Sequence, residues 1–516
     1  MPQRSETVLG KQQDVFDPQD LEPEDVDPEV WFGTDDPIPP EFPEGSEEDE
    51  GDDGVVELMQ QGVAFINQMK ATRPEILRGV RVWKLLHFLP PTWLRGNLTD
   101  LYGLSQQTTH LDQFWSHSWQ GSQWTKYVNM LYLHNCMPAS IAGALSTGVA
   151  CGLVSAGFLG ARQGWCLLFG FVAFWIALLF WRPRKLVFFD IACIHQTDEL
   201  RKEEGIISMG AFLNQSTSML ILWDPTWVTR LWCIFEVAAF LHSRSPGCKA
   251  NLQIIPPLLG PTNLGFEMLV CVLDALYFYI ESSSDEAVVG EQFLLLFGPL
   301  FLLFGIVVHA WRGYARSIET LQEQLREFKV EHARSACCDG NEDKPRPDRE
   351  IILQCIAAWY NSLGSFESQV QTEVRMTVID QLGYKVFSYQ RVLLVLTPHA
   401  WFRLEYAASH AGDPIRQIVD LAQMFTYVLA IFPLVDQLGI RACFRLRRRC
   451  RKLYLDFLLS MAIVFGALML FVACYAIQLY VFRQNYVVRQ NRPELFLSVI
   501  SMLAWWTVTA ILWRFI

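Results

Sequence analysis

The sequence carries little charge for its length. Charged residues make up 19% of the 516 residues, whereas about a quarter is usual for a soluble protein. Hydrophobic residues account for 51%, and they are concentrated in blocks of roughly 17–28 residues, long enough for a helix to cross a bilayer core of about 30 Å. This distribution excludes an ordinary soluble protein and predicts a polytopic α-helical membrane protein.

Motifs that would fix an enzymatic class are also missing. The sequence has no Walker loop, no Gly-rich dinucleotide fingerprint, no zinc-protease helix and no serine-hydrolase elbow. Its 13 cysteines show no spacing of a paired metal site, so we expect neither a bound metal nor a disulfide framework. No required cofactor follows from the sequence.

Basic residues are scarce at the beginning of the chain. The first 54 residues contain 19 acidic residues and only two basic ones, Arg4 and Lys11. The same segment has eight prolines and few large apolar side chains, so it cannot bury enough surface to offset the entropy of the chain. We expect residues 1–54 to form a disordered acidic tail.

The apolar blocks pair into three predicted hairpins. The predicted spans are about 136–160, 164–181, 264–280, 293–311, 455–481 and 495–513. Basic residues follow the first two hairpins, and seven basic residues in 441–452 precede the third. Because positive charge favours the cytosolic side, we expect the N-terminus, the segments between hairpins and the C-terminus to be cytosolic.

The block 418–440 does not fit this pairing. It is apolar but contains Asp420 and Asp436, and a single crossing would place the basic loop 441–452 outside, against the positive-inside rule. We therefore favour a re-entrant or interfacial helix here over a seventh span. The basic loop itself is interpreted as a topology signal and a contact for anionic lipids, not for nucleic acid.

These signals divide the chain into segments, of which 312–416 includes a strand-like run at 391–397. The predicted segments are an acidic tail (1–54), a helical N-terminal segment (55–106), an α/β domain in two pieces (107–135 and 183–260), the first hairpin (136–182), the second hairpin (261–311), a cytosolic helical and mixed segment (312–416), a re-entrant or interfacial helix with the basic loop (417–452) and the third hairpin (453–516).

Residues 185–260 alternate between strand and helix patterns. Two apolar runs end at Asp190 and Asp224, as buried parallel strands with a polar residue at the carboxyl end do. With an earlier strand at 111–116, this alternation predicts a doubly wound parallel sheet. Ligands bind beyond the carboxyl ends of the strands in such sheets. Here those ends lie at 116–119, 190–196 and 224–227.

The same residues resemble the Toll/interleukin-1-receptor (TIR) domain, especially that of plant immune receptors. QFWSHSWQG (113–121) is similar to its F-L-S-F-R-G motif, and ELRKEEG (199–205) to its E-L-x-R-G loop. The spacing from Ser216 through the strand to Trp227 and to WCIFEV (232–237) matches the family's serine, aromatic residue and W-C-x-x-E-L motif. The resemblance implies a flavodoxin-like α/β fold, here split by a transmembrane hairpin.

The resemblance covers about a fifth of the chain and has departures. The hairpin precedes the second strand, ACIHQTD (192–198) replaces the usual loop, and the family's last strand and helix are hard to find. Fold and function implied by the family are therefore expectations for the two matching pieces alone.

For the site, the resemblance implies cleavage of the nicotinamide–ribose bond of NAD. In catalytic members the glutamate of W-C-x-x-E supports this reaction, and that role falls here on Glu236, whose carboxylate could stabilise an oxocarbenium-like state. Ser118, Trp119 and Trp227 are the candidate nucleotide-binding residues, because a tryptophan ring can stack on an adenine or nicotinamide ring. The alternatives are that Glu236 lies early in a helix and interacts with its dipole, and that the tryptophans only pack.

Two ionisable residues fall inside predicted spans. Asp274 and His309 lie in the second hairpin, and ionisable residues within a bilayer are functional candidates by default. A transport role is one interpretation. The other is that Asp274 hydrogen-bonds a neighbouring helix and that His309 lies at the cytosolic boundary.

The function expected from the sequence is that of a membrane-anchored TIR-like signalling protein. Its cytosolic module would self-associate or bind a nucleotide, with NAD as substrate if the protein is an NAD glycohydrolase. The expected partners are the lipid bilayer, further copies of the chain and other TIR-like domains, but no nucleic acid. The alternatives are a non-catalytic membrane scaffold, and a channel or transporter with a regulatory cytosolic domain.

Overall fold

Most of the described residues are helical. The structure is a computed structural model. It describes residues 60–95, 99–118, 122–224, 226–244, 250–282, 286–334, 347–382, 384–488 and 494–514. The predicted acidic tail, 1–54, and Trp119 lie outside these ranges. The strands are β1 (Arg78–Arg81), β2 (Gln106–Gln107), β3 (Leu111–His117), β4 (Leu186–Phe188), β5 (Ser216–Leu222) and β6 (Leu252–Ile255).

The helices are named in chain order. They are α1 (60–67), α2 (Val82–Arg95), α3 (Gln123–Ser155), α4 (Trp165–Phe180), α5 (Asp190–Cys193), α6 (Glu199–Ile207), α7 (Met209–Asn214), α8 (Leu231–His242), α9 (Leu259–Ser282), α10 (Glu286–Arg326), α11 (Pro347–Tyr360), α12 (Leu363–Gln369), α13 (Arg375–Leu382), α14 (Tyr389–Val395), α15 (Thr397–Ser409), α16 (Pro414–Thr426), α17 (Phe432–Arg445), α18 (Leu453–Val488) and α19 (Glu494–Arg514).

The six strands form one mixed sheet in the order β2-β1-β4-β3-β5-β6. Strands β4, β3, β5 and β6 are parallel to one another. β3 coincides with the predicted strand at 111–116, and β4 and β5 coincide with the apolar runs that end at Asp190 and Asp224. β1 is antiparallel to both β4 and β2, so the prediction of a purely parallel sheet is wrong. The sequence signal for β1 and β2 is weak because they have only four and two residues.

Aromatic side chains fill the core beneath the parallel strands. Phe114 on β3 stacks on Phe188 of β4 with ring centroids 4.5 Å apart, and Phe212 of α7 packs against Phe188 at the same distance. All three rings are fully buried. The burial of large apolar side chains fixes which strand face meets the helices, and therefore which residues reach the carboxyl edge of the sheet.

Helices α3 and α4 follow β3 and precede β4. The sequence divides the α/β domain from the first hairpin between residues 135 and 136, and α3 runs across this point without a break, from Gln123 to Ser155. Pro138 lies inside the helix. Asn135 donates to Leu178 O of α4 at 2.7 Å, one of several contacts that hold the two helices together.

Four helical segments of the described chain are long and apolar enough to cross a membrane. They are Gln123–Ser155, Leu259–Ile280, Pro414–Arg445 and Leu453–Tyr480. Trp165–Phe180 and Ser498–Trp513 are shorter apolar helices. These lengths and compositions agree with a membrane protein.

The segment 414–445 is one continuous helical rod. Its parts, α16 and α17, are joined by a π-helical turn at Tyr427–Ile431. The rod does not reverse direction, so it lacks the form of a re-entrant helix, and its length allows a crossing. The interfacial placement of 417–452 stays a prediction.

Helix α15 packs among the membrane-span candidates, although the sequence assigns 312–416 to the cytosol. Trp401 is buried against Gly143 of α3 and Gly170 of α4, where a Cβ atom would come within 2.6 and 2.5 Å of its ring. The strand-like run at 391–397 is also helical, as α14 and the start of α15. A short apolar run cannot be assigned to strand or helix from periodicity alone.

The polar residues of α15 explain why hydropathy misses it. Glu405 accepts hydrogen bonds from the backbone N–H groups of Gln163, Gly164 and Cys166 at 3.1, 3.2 and 2.8 Å, and so satisfies free amides at the start of α4. Arg403 donates to Gln423 of α16 at 3.1 Å. Such groups lower the hydropathy of α15, yet each is paired within the bundle, as a low-dielectric interior requires.

A buried arginine joins α10 to α18. Arg312 has no exposed surface and donates to Asp456 Oδ1 at 2.7 Å and to Ser460 Oγ at 2.9 Å. It also donates to Leu446 O at 2.8 Å, in the segment between α17 and α18. Arg312 thus connects the middle of the predicted basic loop, at Leu446, to the two long helices α10 and α18.

Candidate functional site

Glu236, the glutamate that the sequence motif singles out, lies beside the carboxyl end of β3. Ser116, near the end of β3, donates its hydroxyl hydrogen bond to Glu236 Oε2 on α8 at 2.5 Å. Trp227 Nε1 donates to Ser116 Oγ at 3.1 Å. β3 lies between β4 and β5 in the sheet, so the Glu236 carboxylate sits where ligands bind in open α/β sheets.

A second polar network lies beside the first. Ser118 donates to Asp224 Oδ2, Lys126 donates to the Ser118 carbonyl, and Lys126 Nζ lies 3.9 Å from Asp224 Oδ2. Thr226 donates through its backbone N–H and its hydroxyl to Asp224 Oδ1, at 2.9 and 2.5 Å. The network joins the segment after β3 to the segment after β5 and the beginning of α3.

A third pair completes the edge at the end of β4. His117 Nε2 lies 4.0 Å from Asp190 Oδ1, and Ile191 N–H donates to the same oxygen at 2.9 Å. Burial raises the pKa of Asp190 to about 7, although the hydrogen bond from Ile191 and the charge of Lys126 act in the opposite direction. Burial lowers the pKa of His117 to about 3, and the Lys126 charge lowers it further. His117 is therefore neutral at physiological pH.

The pKa of Glu236 is raised, like that of Asp190. Burial raises its pKa to about 8, the Ser116 hydrogen bond lowers it, and the charge of Asp190 raises it. The carboxyl group is thus close to half-ionised slightly above neutral pH. This range suits a group that changes protonation state during a reaction.

Three of the four sequence-predicted site residues meet at this edge. Glu236, Ser118 and Trp227 belong to the hydrogen-bonded groups just described, and Trp119 lies outside the described residues. Trp227 is 5% exposed, so stacking of its ring on a nucleotide would require the ring to be uncovered. Its role in the structure is to pack and to donate to Ser116.

Glu236 does not occupy a helix start. α8 begins at Leu231, so Glu236 lies in its second turn, beyond the first-turn amides where the helix dipole acts most strongly. Its partner is a side chain from a strand. The contacts of Glu236 therefore do not fit the alternative that this residue interacts with the dipole at the start of its helix.

Sequence reasoning places Ser116 at the carboxyl end of a strand but gives it no role, and it misses Lys126. Ser116 is fully buried, and it lies 120 positions from its partner Glu236. Its position at the end of the predicted strand 111–116 was the signal, because ligands bind beyond the carboxyl ends of such strands. Lys126 could have been found from its place on the helix that follows β3.

The two ionisable residues of the predicted spans lie apart. Asp274 Oδ1 contacts His399 Nδ1 of α15 at 2.9 Å. His309 Nδ1 contacts Ser460 Oγ at 3.2 Å and lies 3.9 Å from Asp456, beside the Arg312 ion pair. His309 thus belongs to the interface of α10 and α18, and Asp274 to the interior between α9 and α15.

No family model, no curated protein and no solved structure matches this chain.

Proposed function

We propose that the protein is a membrane-anchored TIR-like signalling protein whose α/β module binds a nucleotide at the carboxyl edge of β3 and cleaves NAD. One observation carries the proposal, which is the Ser116–Glu236 hydrogen bond at this edge. The bond holds a carboxylate with a pKa of about 8 at the position where open α/β sheets bind ligands. Glu236 is also the residue that the TIR motif assigns to this chemistry.

The order of the parallel strands supports a TIR-like fold. Counted along the chain from β3, the four parallel strands lie in the order 2-1-3-4, the beginning of the flavodoxin-like order. The strand order changes direction around β3, and nucleotides bind at such switch points. The helices α3 and α4 would then be an insertion between the first and second strands of this fold.

Glu236 would act as an ionised carboxylate. Cleavage of the nicotinamide–ribose bond passes through a state with positive charge on the ribose, and a carboxylate held beside it stabilises that charge. Ser116 would fix the orientation of the carboxylate. Asp224, through Ser118 and Lys126, would hold the neighbouring segments in place.

The burial of the edge favours a second candidate function. Ser116, Ser118 and Trp227 have almost no exposed surface, and buried hydrogen-bonded networks also serve to specify a fold. A non-catalytic scaffold with the same fold would use the module only to bind further copies of the chain or other TIR-like domains. Self-association is part of both candidates.

Nicotinamide release from NAD separates the two. The full-length protein in detergent is incubated with NAD, with and without a crosslinker that promotes assembly, as wild type, as Glu236→Gln and as Glu350→Gln. Glu350 is an exposed glutamate on α11 and serves as the matched control. Release by wild type and Glu350→Gln, but not by Glu236→Gln, supports catalysis. No release by a folded, assembled wild type contradicts catalysis and leaves the scaffold.

A further inference from the structure

One face of helix α9 carries a row of buried polar side chains. Asn263, Glu267 and Asp274 are four and seven residues apart, so they lie on the same side of the helix. They are 7%, 2% and 5% exposed. Because α9 is long and apolar enough to cross a membrane, this row lies in the interior of the helical bundle.

Glu267 has polar atoms that nothing in the described chain satisfies. Neither of its carboxyl oxygens has a hydrogen-bond partner among the described residues, and Asn263 Nδ2 likewise has none there. An ionised carboxylate without a partner in an apolar interior is very unfavourable, and such a group takes up a proton instead. The surroundings of Glu267 therefore favour its neutral, protonated form.

The groups around Glu267 come from several helices. The Tyr132 hydroxyl and the Cys136 thiol on α3 lie within electrostatic range of Glu267, and Cys271 on α9 lies between Glu267 and Asp274. The positive charge of the Arg391 guanidinium on α14 interacts electrostatically with the Tyr132 hydroxyl. None of these residues forms a salt bridge with Glu267.

A small cavity begins at Asn263. It has a volume of about 20 Å³, enough for one water molecule. Asn263, Arg391, Trp311 on α10 and Asp436 on α17 are among the residues that line it. The cavity connects the Asn263 end of the polar row to a second carboxyl group, Asp436, near the beginning of α17.

The Asp274–His399 pair lies further along the row. Asp274 is seven residues after Glu267, about 10 Å along the helix axis. Asp274 Oδ1 contacts His399 Nδ1 at 2.9 Å, whereas Asp274 Oδ2 has no partner in the described residues. The pair therefore has a free oxygen that can accept a proton.

We propose that Glu267 is a proton-binding site and the central group of a proton path through the helical bundle. The path begins at Asp436, passes the cavity at Asn263 and continues from Glu267 to the Asp274–His399 pair. The Glu267 carboxylate takes up one proton to become a neutral acid and releases the same proton to the next group. This activity goes beyond the nucleotide chemistry proposed above and does not depend on it.

A proton fits this site better than a metal ion. Hard cations take six or more oxygen ligands, and no group of three or more His, Cys, Asp or Glu side chains in the described ranges could hold a metal. The unpartnered atom of Asn263, Nδ2, is a hydrogen-bond donor and cannot be a ligand of a cation.

Carbodiimide labelling tests proton binding in the unmodified sequence. Dicyclohexylcarbodiimide reacts with protonated carboxyl groups in apolar surroundings and leaves a stable adduct that mass spectrometry locates. The full-length protein in detergent is labelled from pH 6 to pH 9. We expect an adduct on Glu267 that decreases about twofold between pH 6 and pH 9. Asp456, ionised beside Arg312, is the internal control and stays unlabelled. The absence of an adduct on Glu267 at pH 6 overturns the proposal.

Proton flux tests the path. The protein is reconstituted into liposomes that contain a pH-sensitive dye, and a potassium gradient with valinomycin supplies the driving force. We expect flux in wild type, at least tenfold slower flux in Glu267→Gln, and wild-type flux in Glu323→Gln, a change at an exposed glutamate of α10. Equal flux in wild type and Glu267→Gln, or none in wild type, overturns the path.

Discussion

Ser116 donates its only hydroxyl hydrogen to Glu236 and so joins the end of β3 to the second turn of α8. The oxygen of the same serine accepts a hydrogen bond from the Trp227 indole. A serine hydroxyl has one hydrogen to donate, and the Trp227 contact directs that hydrogen towards Glu236. The carboxylate is therefore oriented by the protein itself.

The raised pKa of Glu236 predicts a pH-dependent effect of Glu236→Gln on stability. Its pKa is about 8 in the folded protein, against an ordinary value of 4.5. Below pH 4.5 the Glu236 carboxyl group is protonated in both the folded and the unfolded protein, so it costs no stability. Between pH 4.5 and 8 the unfolded state ionises first, so stability falls as the pH rises. We expect Glu236→Gln to melt at a higher temperature than wild type at pH 9 and at the same temperature at pH 4.5, measured by tryptophan fluorescence in detergent. An equal difference at both pH values would contradict this assignment.

The contacts of α15 predict the side of the membrane on which its end lies. Glu405 caps the start of α4, so the turn between α15 and α16 lies near the connection between α3 and α4. A crossing by 414–445 would return the chain to the opposite side, which resolves the conflict with the basic loop 441–452. We expect Gly412→Cys and Leu159→Cys to react with an impermeant maleimide from one side of sealed vesicles, and Arg448→Cys from the other. Labelling of Gly412→Cys and Arg448→Cys from the same side would contradict this topology.

The packing of Trp401 predicts different outcomes for two glycines of α3. A Cβ atom at Gly143 would lie 2.6 Å from Trp401 Cζ2 and 3.1 Å from the Gly170 carbonyl oxygen, whereas nothing lies within 4 Å of a Cβ at Gly148. We expect Gly143→Ala to lower the free energy of unfolding by about 1–3 kcal/mol because of overpacking. Gly148→Ala, the matched control, should be neutral or stabilising. Thermal unfolding in detergent compares the two, and equal melting temperatures would show that Trp401 does not pack tightly here.

The buried Arg312–Asp456 pair predicts a large cost for removing one partner. Arg312→Met leaves the Asp456 carboxylate without its closest partner in a buried position, which costs about 3–5 kcal/mol. Arg447 also pairs with a carboxylate, Glu319, but both side chains are partly exposed, so Arg447→Met should cost at most about 1 kcal/mol. Thermal unfolding of both variants checks the difference. Similar losses would indicate that Arg312 contributes no more than a surface ion pair.

The parallel strands could be predicted because their signal is local. Each is a run of apolar residues, and two of them end at Asp190 and Asp224. The pairs at the edge could not be predicted in the same way. Ser116 and Glu236 are 120 positions apart, and nothing near either residue shows that the fold brings them together.

The helices show the same division between local and tertiary signals. Long apolar segments such as Leu453–Tyr480 are visible in the sequence. Helix α15 is not, because His399, Arg403 and Glu405 make it polar, and each of these is paired only in the folded protein. Hydropathy measures a segment alone, whereas the cost of burying a polar group depends on its partner.

The pH dependence of nicotinamide release tests the central claim most directly. The full-length, assembled protein is assayed with saturating NAD from pH 6 to pH 9.5, beside Glu236→Gln. If ionised Glu236 supports the cleavage, the wild-type rate rises with pH through an apparent pKa near 8. Glu236→Gln shows no such rise and is at least 100-fold slower than wild type at pH 9.5, on the order of the contribution expected for a catalytic carboxylate. A rate that is the same in wild type and Glu236→Gln, or no release by wild type at any pH, would contradict the account.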